Sequence, residues 1–278
     1  MHSSLGPCFF IKLMQSLIQQ LINNFEPIHL SEMSGIRLMN RTDTKFVTTL
    51  PRLVEFLQQT YSCYRVQEVD GQRIARYYTV YFDTPHMDMY LMHEVGHANR
   101  QKLRIRSYVD SHLSFLEVKS KNNHGKTDKQ RVGMQEFDAL HPNHDIVFDG
   151  SQSELLPQEK FVRGSLQSGL NELSEKLENR FYRITLVNKQ LTERLTIDMD
   201  MRFHNLVTGE ECHLPNIVVI ELKRDGYRDS QVLHILNNMR IHRMGFSKYT
   251  FGSALTNSSL RQNRLKSRLH HIQLMNQN

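Results

Sequence analysis

Several stretches of the chain alternate apolar and charged positions with a period of two. Arg100–Tyr108 places Arg100, Lys102, Arg104, Arg106 and Tyr108 on one face of a predicted strand and Leu103 and Ile105 on the other. Phe115–Lys121 sets Glu117, Lys119 and Lys121 against Leu116 and Val118, and Arg194–Arg202 alternates without a slip. Val219–Lys223 repeats the pattern with Glu221 and Lys223 on its charged face. Two arrangements satisfy strands of this kind. One is an antiparallel sheet whose polar side lies in water. The other is a closed barrel whose polar faces line an interior, where Arg and Lys around Glu and Asp would take a polyanion together with a divalent cation.

The remaining pattern fills in the order. Residues from about Phe9 to Phe25 have helical spacing, with a polar face of Gln, Ser and Asn that suits packing on a partner surface better than a membrane. A short helix is expected near Glu26–Met33, and a strand over Asn40–Val47 with Arg41, Asp43 and Lys45 on one face. Pro51 fits the first turn of a helix reaching about Tyr61. Ala75–Asp83 reads as a strand ended by Asp83-Thr84-Pro85. From about Glu136 to Gly169 the alternation is lost, which predicts a helical insertion with loops. Strands follow over Leu177–Lys189, Arg194–Phe203 and Ile217–Arg224, with a loop over Asn205–Asn216. Ser230 caps a helix to about His242, Phe246–Gly252 closes the core, and a last helical pattern involves Leu265, Leu269, Ile272 and Leu274.

Composition narrows the partners. The 278 residues are 39% hydrophobic with a formal charge of +6, and a mean hydropathy of −0.51 suits a soluble globular protein. The excess of cations favours an anionic partner. Specific nucleic acid is not expected, because aromatic stacking positions are sparse among the basic strands. Cys8, Cys63 and Cys212 are too far apart for a paired-cysteine zinc motif or a disulfide framework, so a reducing cytoplasm is the expected location. The apolar run Cys8–Ile11 is too short to span a bilayer.

His93-Glu94-Val95-Gly96-His97 matches the H-E-x-x-H pattern of zinc peptidases. That distant alternative is disfavoured by Gly96, which lowers helix propensity by about 1 kcal/mol relative to Ala. It also lacks a third ligand at a familiar spacing, so His93 and Gly96 are assigned to a turn between strands.

The motifs Arg41-x-Asp43-x-Lys45-Phe46, Tyr81-Phe82-Asp83-Thr84, Tyr90-x-x-His93-x-x-Gly96, the Arg100–Tyr108 stripe and Phe115-Leu116-Glu117-Val118-Lys119-x-Lys121 resemble the VTC domain. This is the catalytic domain of the vacuolar transporter chaperone complex and its stand-alone bacterial relatives. Arg194–Asp200, Val219–Lys223 and Phe246–Tyr249 continue the likeness in order. The resemblance implies an α+β triphosphate tunnel fold: an antiparallel β-barrel with a basic lumen and peripheral helices. It divides the chain into an N-terminal amphipathic helix over 1–24, a tunnel domain over 25–255 and a basic polar tail with a short helix over 256–278. It implies ATP-dependent polyphosphate synthesis with Mn or Mg. A tripolyphosphate or nucleoside triphosphate hydrolase and a non-catalytic polyphosphate-binding module are the alternatives. By the same resemblance Lys45, Arg104, Arg106, Lys119, Lys129, Lys189, Arg194, Ser247 and Lys248 contact phosphates, and Arg104, Arg106, Lys119, Arg194 and Lys248 form the catalytic set. Glu221 holds the metal. Arg131 joins the phosphate contacts by its spacing from Lys129. The chain departs from the eukaryotic pattern at Gly245, where a basic residue is usual, at Lys189, where arginine is usual, and at Val187, where tyrosine is usual. No SPX-type inositol-phosphate sensing is expected, and translocation of product would need a membrane protein partner.

Overall fold

The computed structural model describes residues 7–33, 41–123, 127–135, 137–148, 157–166, 172–226 and 229–277. The strands are β1 (Glu26–His29), β2 (Arg41–Thr49), β3 (Tyr64–Glu68), β4 (Ala75–Asp83), β5 (Arg100–Tyr108), β6 (Leu113–Lys121), β7 (Thr127–Gly133), β8 (Val147–Phe148), β9 (Leu173–Asn188), β10 (Glu193–Asn205), β11 (Glu211–Leu214) and β12 (Ile217–Asp225). The helices are α1 (Pro7–Asn23), α2 (Leu30–Met33), α3 (Leu50–Thr60), α4 (Asp88–Glu94), α5 (Pro157–Ser165), α6 (Gln231–Asn238), α7 (Lys248–Thr256) and α8 (Lys266–Gln277).

The main sheet runs β2-β12-β10-β9-β4-β5-β6-β7. Every ladder along that path is antiparallel; β1 and β3 form a parallel pair at its side. The sheet curls so far that distant strands meet across its concave face. Lys45 of β2 donates to the Phe246 carbonyl at 3.0 Å, while Lys102 of β5 donates to the adjacent Ser247 hydroxyl at 2.7 Å. The expected α+β fold with a basic lumen is therefore present. Its hydrogen bonding does not close, however: among the described residues β2 and β7 end the path without pairing each other, leaving a half-barrel with a seam.

The convex face explains the apolar half of the alternation. Phe46, Ile184, Leu186, Leu195, Ile197, Val218, Ile220 and Leu222 share one core with Ile18 and Ile22 of α1, Leu53, Phe56 and Leu57 of α3, and Val232 and Leu236 of α6. Another core joins Val80, Phe82, Leu103, Ile105, Leu116 and Val118 to Phe148 and to Val162 of α5. Each fully buried side chain of this size contributes roughly 1.5–3 kcal/mol, so the period-two pattern fixes which face turns inward.

One end of the lumen is stoppered by α7. A Cβ on Gly252 would lie 2.4 Å from Phe203 Cδ1 and 2.7 Å from Leu177 Cδ2, so only glycine lets the helix sit this close to β9 and β10. Tyr249 stacks on Tyr81 with centroids 5.1 Å apart. Its hydroxyl also donates to Asp83, whose carboxylate accepts the Met89 and Tyr90 backbone N–H groups at 2.9 Å. Asp83 thus ties α4 and α7 to the end of β4.

Several details differ from the sequence reading. Residues 88–94 form a helix instead of belonging to a turn, and Gly96 follows it with φ of +83°. The segment read as a loop over 205–216 contains β11, which pairs with the extended end of β10. Ser230 precedes α6, but its side chain makes no cap and the helix ends at Asn238. Short strands β1 and β3 carry too few residues for alternation to reveal them. Leu265 and the α8 residues Leu269 and Ile272 are buried in the core, with Asn276 and Met275 held against Asn216. Within the insertion only α5 and β8 are regular among the described residues. The sequence also predicts a turn over Asn122–Lys126 after the Glu117 strand, and its 124–126 part lies outside the described residues. No helix is long and apolar enough to cross a membrane among the described residues.

Candidate functional site

Cross-strand register places the charged halves of the strands on one surface, because directly opposed residues share a face. Arg104 opposes Glu117, which opposes Arg131; Lys102 opposes Lys119, which opposes Lys129. On the other wall Lys45 opposes Glu221, which opposes Thr196, and Asp43 opposes Lys223, which opposes Arg194. Arg183 opposes Asp198. A row of Lys102, Lys119 and Lys129 is destabilising on its own and makes sense only where anions enter.

The carboxylates neutralise part of this charge. Glu117 Oε2 accepts from Arg104 Nε at 2.9 Å and Nη2 at 2.6 Å, and its Oε1 accepts from Lys129 at 2.9 Å. Burial alone would raise the Glu117 pKa, but the charges of Arg104 and Arg106 and the Lys129 hydrogen bond outweigh it and hold the group well below the usual carboxylate range. Asp198 accepts from Arg183 Nε at 2.5 Å and Nη2 at 2.7 Å, and from Lys248. It is likewise held low, with Arg183 and Lys248 overcoming burial. Glu221 pairs with Lys223 at 2.7 Å, and Lys45 and Lys223 keep its carboxylate ionised against burial.

What remains is an excess of half-buried cation. Arg106 Nε is buried without a hydrogen-bond partner. Burial and the neighbouring charges of Arg104 and Arg183 push the Arg106 pKa down. Lys119 is pushed well below the ordinary lysine range, first by the charge of Arg104 and then by burial. Lys102 is pushed down by burial and by Lys45, Arg100 and Arg104. Such groups gain most from an incoming polyanion, which reverses every one of these repulsions.

The residues expected at the site fall into distinct groups. Lys45, Arg104, Arg106, Lys119, Lys129, Arg194, Lys248 and Glu221 share the lumen face or its end, with Lys248 bonded to Asp198 and Ser247 to Lys102. Arg131 is exposed on β7, its guanidinium 4.4 Å from the Phe115 ring centroid. Lys189 stands apart: it follows the end of β9, is about half exposed, and lies 3.6 Å from Glu26. Sequence reasoning passed over Arg183, Asp198, Lys223 and the direct part of Lys102. Arg183 carries the sole charge on an otherwise ordinary Phe-Tyr-Arg-Ile stretch, so alternation gave it no emphasis. Asp198 stood on the charged face of its strand, but its bond to Lys248, fifty positions away, has no sequence signal.

The H-E-x-x-H residues do not converge. His93 Nδ1 shares a 2.5 Å hydrogen bond with Thr250 Oγ1, and burial with the charge of Lys102 holds its pKa well below the ordinary imidazole range. Glu94 is buried and accepts from the Arg264 backbone N–H at 2.8 Å, while His97 is exposed. Among the described residues no three His, Cys, Asp or Glu side chains are grouped to hold a metal ion. A divalent ion at Glu221 therefore fits only with phosphate oxygens completing its shell. That suits Mg or Mn, which commonly take one or two carboxylates plus substrate phosphates.

A half-barrel with a basic concave face and a helical stopper is a site shaped for a polyanion. Residues 40–257 match the VTC domain model; the chain belongs to the VTC domain family. No curated protein matches the sequence. Among solved structures, the chain overlaps a Hippeastrum protein designated an adenylyl cyclase and described as having a dominant triphosphatase activity. That overlap has 16% identity and a TM-score of 0.45, covering 79% of this chain and 97% of the other. A conserved hypothetical protein from Pyrococcus furiosus overlaps at 14% identity and a TM-score of 0.37, covering 73% and 91%. Family membership and the cationic lumen together support phosphoryl transfer or triphosphate binding at this site.

Proposed function

We propose that this chain synthesises polyphosphate from ATP in the lumen. The observation that carries the reading is the unbalanced cation cluster of Lys102, Arg106 and Lys119, half-buried on the lumen face and lowered in pKa by burial and by the charge of Arg104. Phosphoryl transfer asks mainly for positioning and electrostatic stabilisation, with no side-chain nucleophile. Arginine forks clamp phosphate oxygens while lysines act as point charges. Arg106 and Lys119 would carry the developing charge on the transferred group. Arg104, already committed to Glu117, would shape the wall and add long-range charge. Lys248 and Ser247 would hold the chain at the α7 end. A terminal phosphate oxygen of the chain attacks the γ-phosphorus, that P–O bond forms, and the bond to the β–γ bridging oxygen breaks, releasing ADP. Glu221 would hold the divalent ion, which supplies Lewis-acid polarisation of phosphoryl oxygens when bound.

Incubation with ATP and Mn, with polymer resolved on a gel and free phosphate measured in parallel, tests the reading. Polymer is the expected product. Free phosphate without polymer would mean that water is the acceptor and the chain is a triphosphatase. Neither product would leave a binding module. Glu221→Gln should abolish turnover while tripolyphosphate still binds without metal. Full activity in that variant would make Glu221 simply the ion-pair partner of Lys223.

A further inference from the structure

Asp198 links two parts of the molecule that no local sequence pattern connects. It lies on β10, facing Arg183 of β9 in register. Arg183 reaches it with two hydrogen bonds, at 2.5 and 2.7 Å. The third cationic donor is Lys248, the first residue of α7. One carboxylate thus joins the barrel wall to the helix that stoppers it.

The aromatic floor completes the arrangement. Tyr77 and Phe181 stack with centroids 5.1 Å apart and an interplanar angle of 21°. The Arg183 guanidinium lies 4.8 Å from the Tyr77 centroid, and the Lys248 ammonium lies 4.2 Å from that of Phe181. Both cations therefore rest on ring faces, an attraction that strengthens when desolvated. Each keeps N–H donors beyond those Asp198 takes.

We propose that Asp198 is a positioning residue of the phosphate site, fixing the Lys248 ammonium and the Arg183 guanidinium against the Tyr77–Phe181 floor so that both present to a phosphate chain. This rests on the reading that the lumen binds phosphates. A merely structural ion pair would tie the same elements together, but it would not tune the affinity of the lumen for an anion. The charged groups facing Lys248 are Asp198 on β10, Arg183 on β9 and Lys45 on β2. Burial pushes Lys248 down to about 7; Asp198 opposes this, and Arg183 and Lys45 add to it. Without the carboxylate, the lysine would lose its proton below neutrality and with it much of its pull on phosphate.

The test is calorimetric binding of tripolyphosphate, without metal, from about pH 6 to about pH 9. Lys248→Arg serves as the reference for the ligand's own ionisation, because a guanidinium stays charged throughout. Relative to that reference, wild-type affinity should fall as pH rises through about 7. In Asp198→Asn the fall should move to lower pH, with binding near neutrality weaker by about tenfold, the loss of one charge-assisted contact. Asp198→Asn combined with Lys248→Arg should recover a profile parallel to the reference. If Asp198→Asn fails to fold, Lys248→Met carries the test: the fall through about 7 should vanish, and its persistence would overturn the proposal. Wild-type binding that Asp198→Asn leaves unchanged in strength and pH profile overturns the role of Asp198 alone. Absence of wild-type binding overturns the phosphate reading together with it.

Discussion

Strand β9 carries buried charge on both faces, and the two faces resolve it in opposite ways. Inward, Arg183 and its neighbours form part of a surface where cations exceed the carboxylates Glu117, Asp198 and Glu221. Outward, Glu175 and Glu178 lie beneath the loop that carries His144. His144 Nδ1 is 3.2 Å from Glu175 Oε2, and His204 Nδ1 is 2.9 Å from Glu178 Oε2. Glu175 is pushed up to about 8, by burial and by the charges of Glu178 and Asp145. Glu178 is held low, the neighbouring Tyr78 hydroxyl and the His204 hydrogen bond overcoming burial. The outer cluster removes its own excess charge by keeping a proton on Glu175. The lumen holds more cations than its carboxylates can pair, and Lys102, Arg106 and Lys119 are each lowered by burial and by the charge of Arg104. Burial alone does not mark a functional surface; charge of one sign left over after internal pairing does.

The largest effect that sharpens this contrast is expected at Glu117. Glu117→Gln strips the partner from a buried Arg104 and should destabilise the protein by about 3–5 kcal/mol, read from the urea midpoint. Added tripolyphosphate should recover part of that loss, since it brings negative charge to the same wall. No recovery would separate Glu117 from the ligand surface. Next, tripolyphosphate at about 100 times its Kd should stabilise the wild type by about 2.7 kcal/mol. Glu175→Gln should show the same gain, since its site is on the other face. A gain that disappeared in this variant would break the division between the faces.

Glu175→Gln should also alter the pH dependence of stability. A folded-state pKa of about 8 lies above the ordinary glutamate value, so the folded state binds the extra proton. The Glu175 contribution to stability is then fully present below the ordinary glutamate range and is lost as pH rises through about 8. The glutamine variant should lack that fall and exceed the wild type above it, by on the order of a kcal/mol or more. Identical unfolding profiles for the two proteins would show that Glu175 ionises freely. The smallest effect concerns the histidine pair. Replacing His93 and His97 together with Ala should cost about 1 kcal/mol, one buried hydrogen bond, and leave metal-dependent turnover of phosphates in place. Stoichiometric zinc lost in that double variant would return the motif to a metal site.

The sequence showed most of what alternation can encode. The stripe from Arg100 to Tyr108 is β5 residue for residue, and Glu221 and Lys223 face inward as their parity requires. Parity does not say how far a sheet curls, so the open seam between β2 and β7 was not legible. Nor does it say which cation a carboxylate meets: Arg104 with Glu117 follows from adjacent strands, but Asp198 with Lys248 depends on where α7 docks. That docking rests on Gly252, whose missing side chain carries no pattern. The H-E-x-x-H match illustrates the reverse. Its histidines are sequence neighbours, yet His93 is satisfied by Thr250 from a helix far along the chain.

Metal-free calorimetric titration of the wild type and of Arg106→Ala with tripolyphosphate tests the central claim most directly. With cations left over on the lumen face, the wild type should bind in a salt-sensitive manner. Proton uptake at neutral pH should accompany binding, because a polyanion raises the pKa of Lys248, which burial lowers to about 7. Arg106→Ala should bind at least tenfold more weakly, the loss of a charge-assisted contact of about 1.5–3 kcal/mol. Absence of binding, or equal binding by a folded Arg106→Ala protein with no proton uptake, would contradict it.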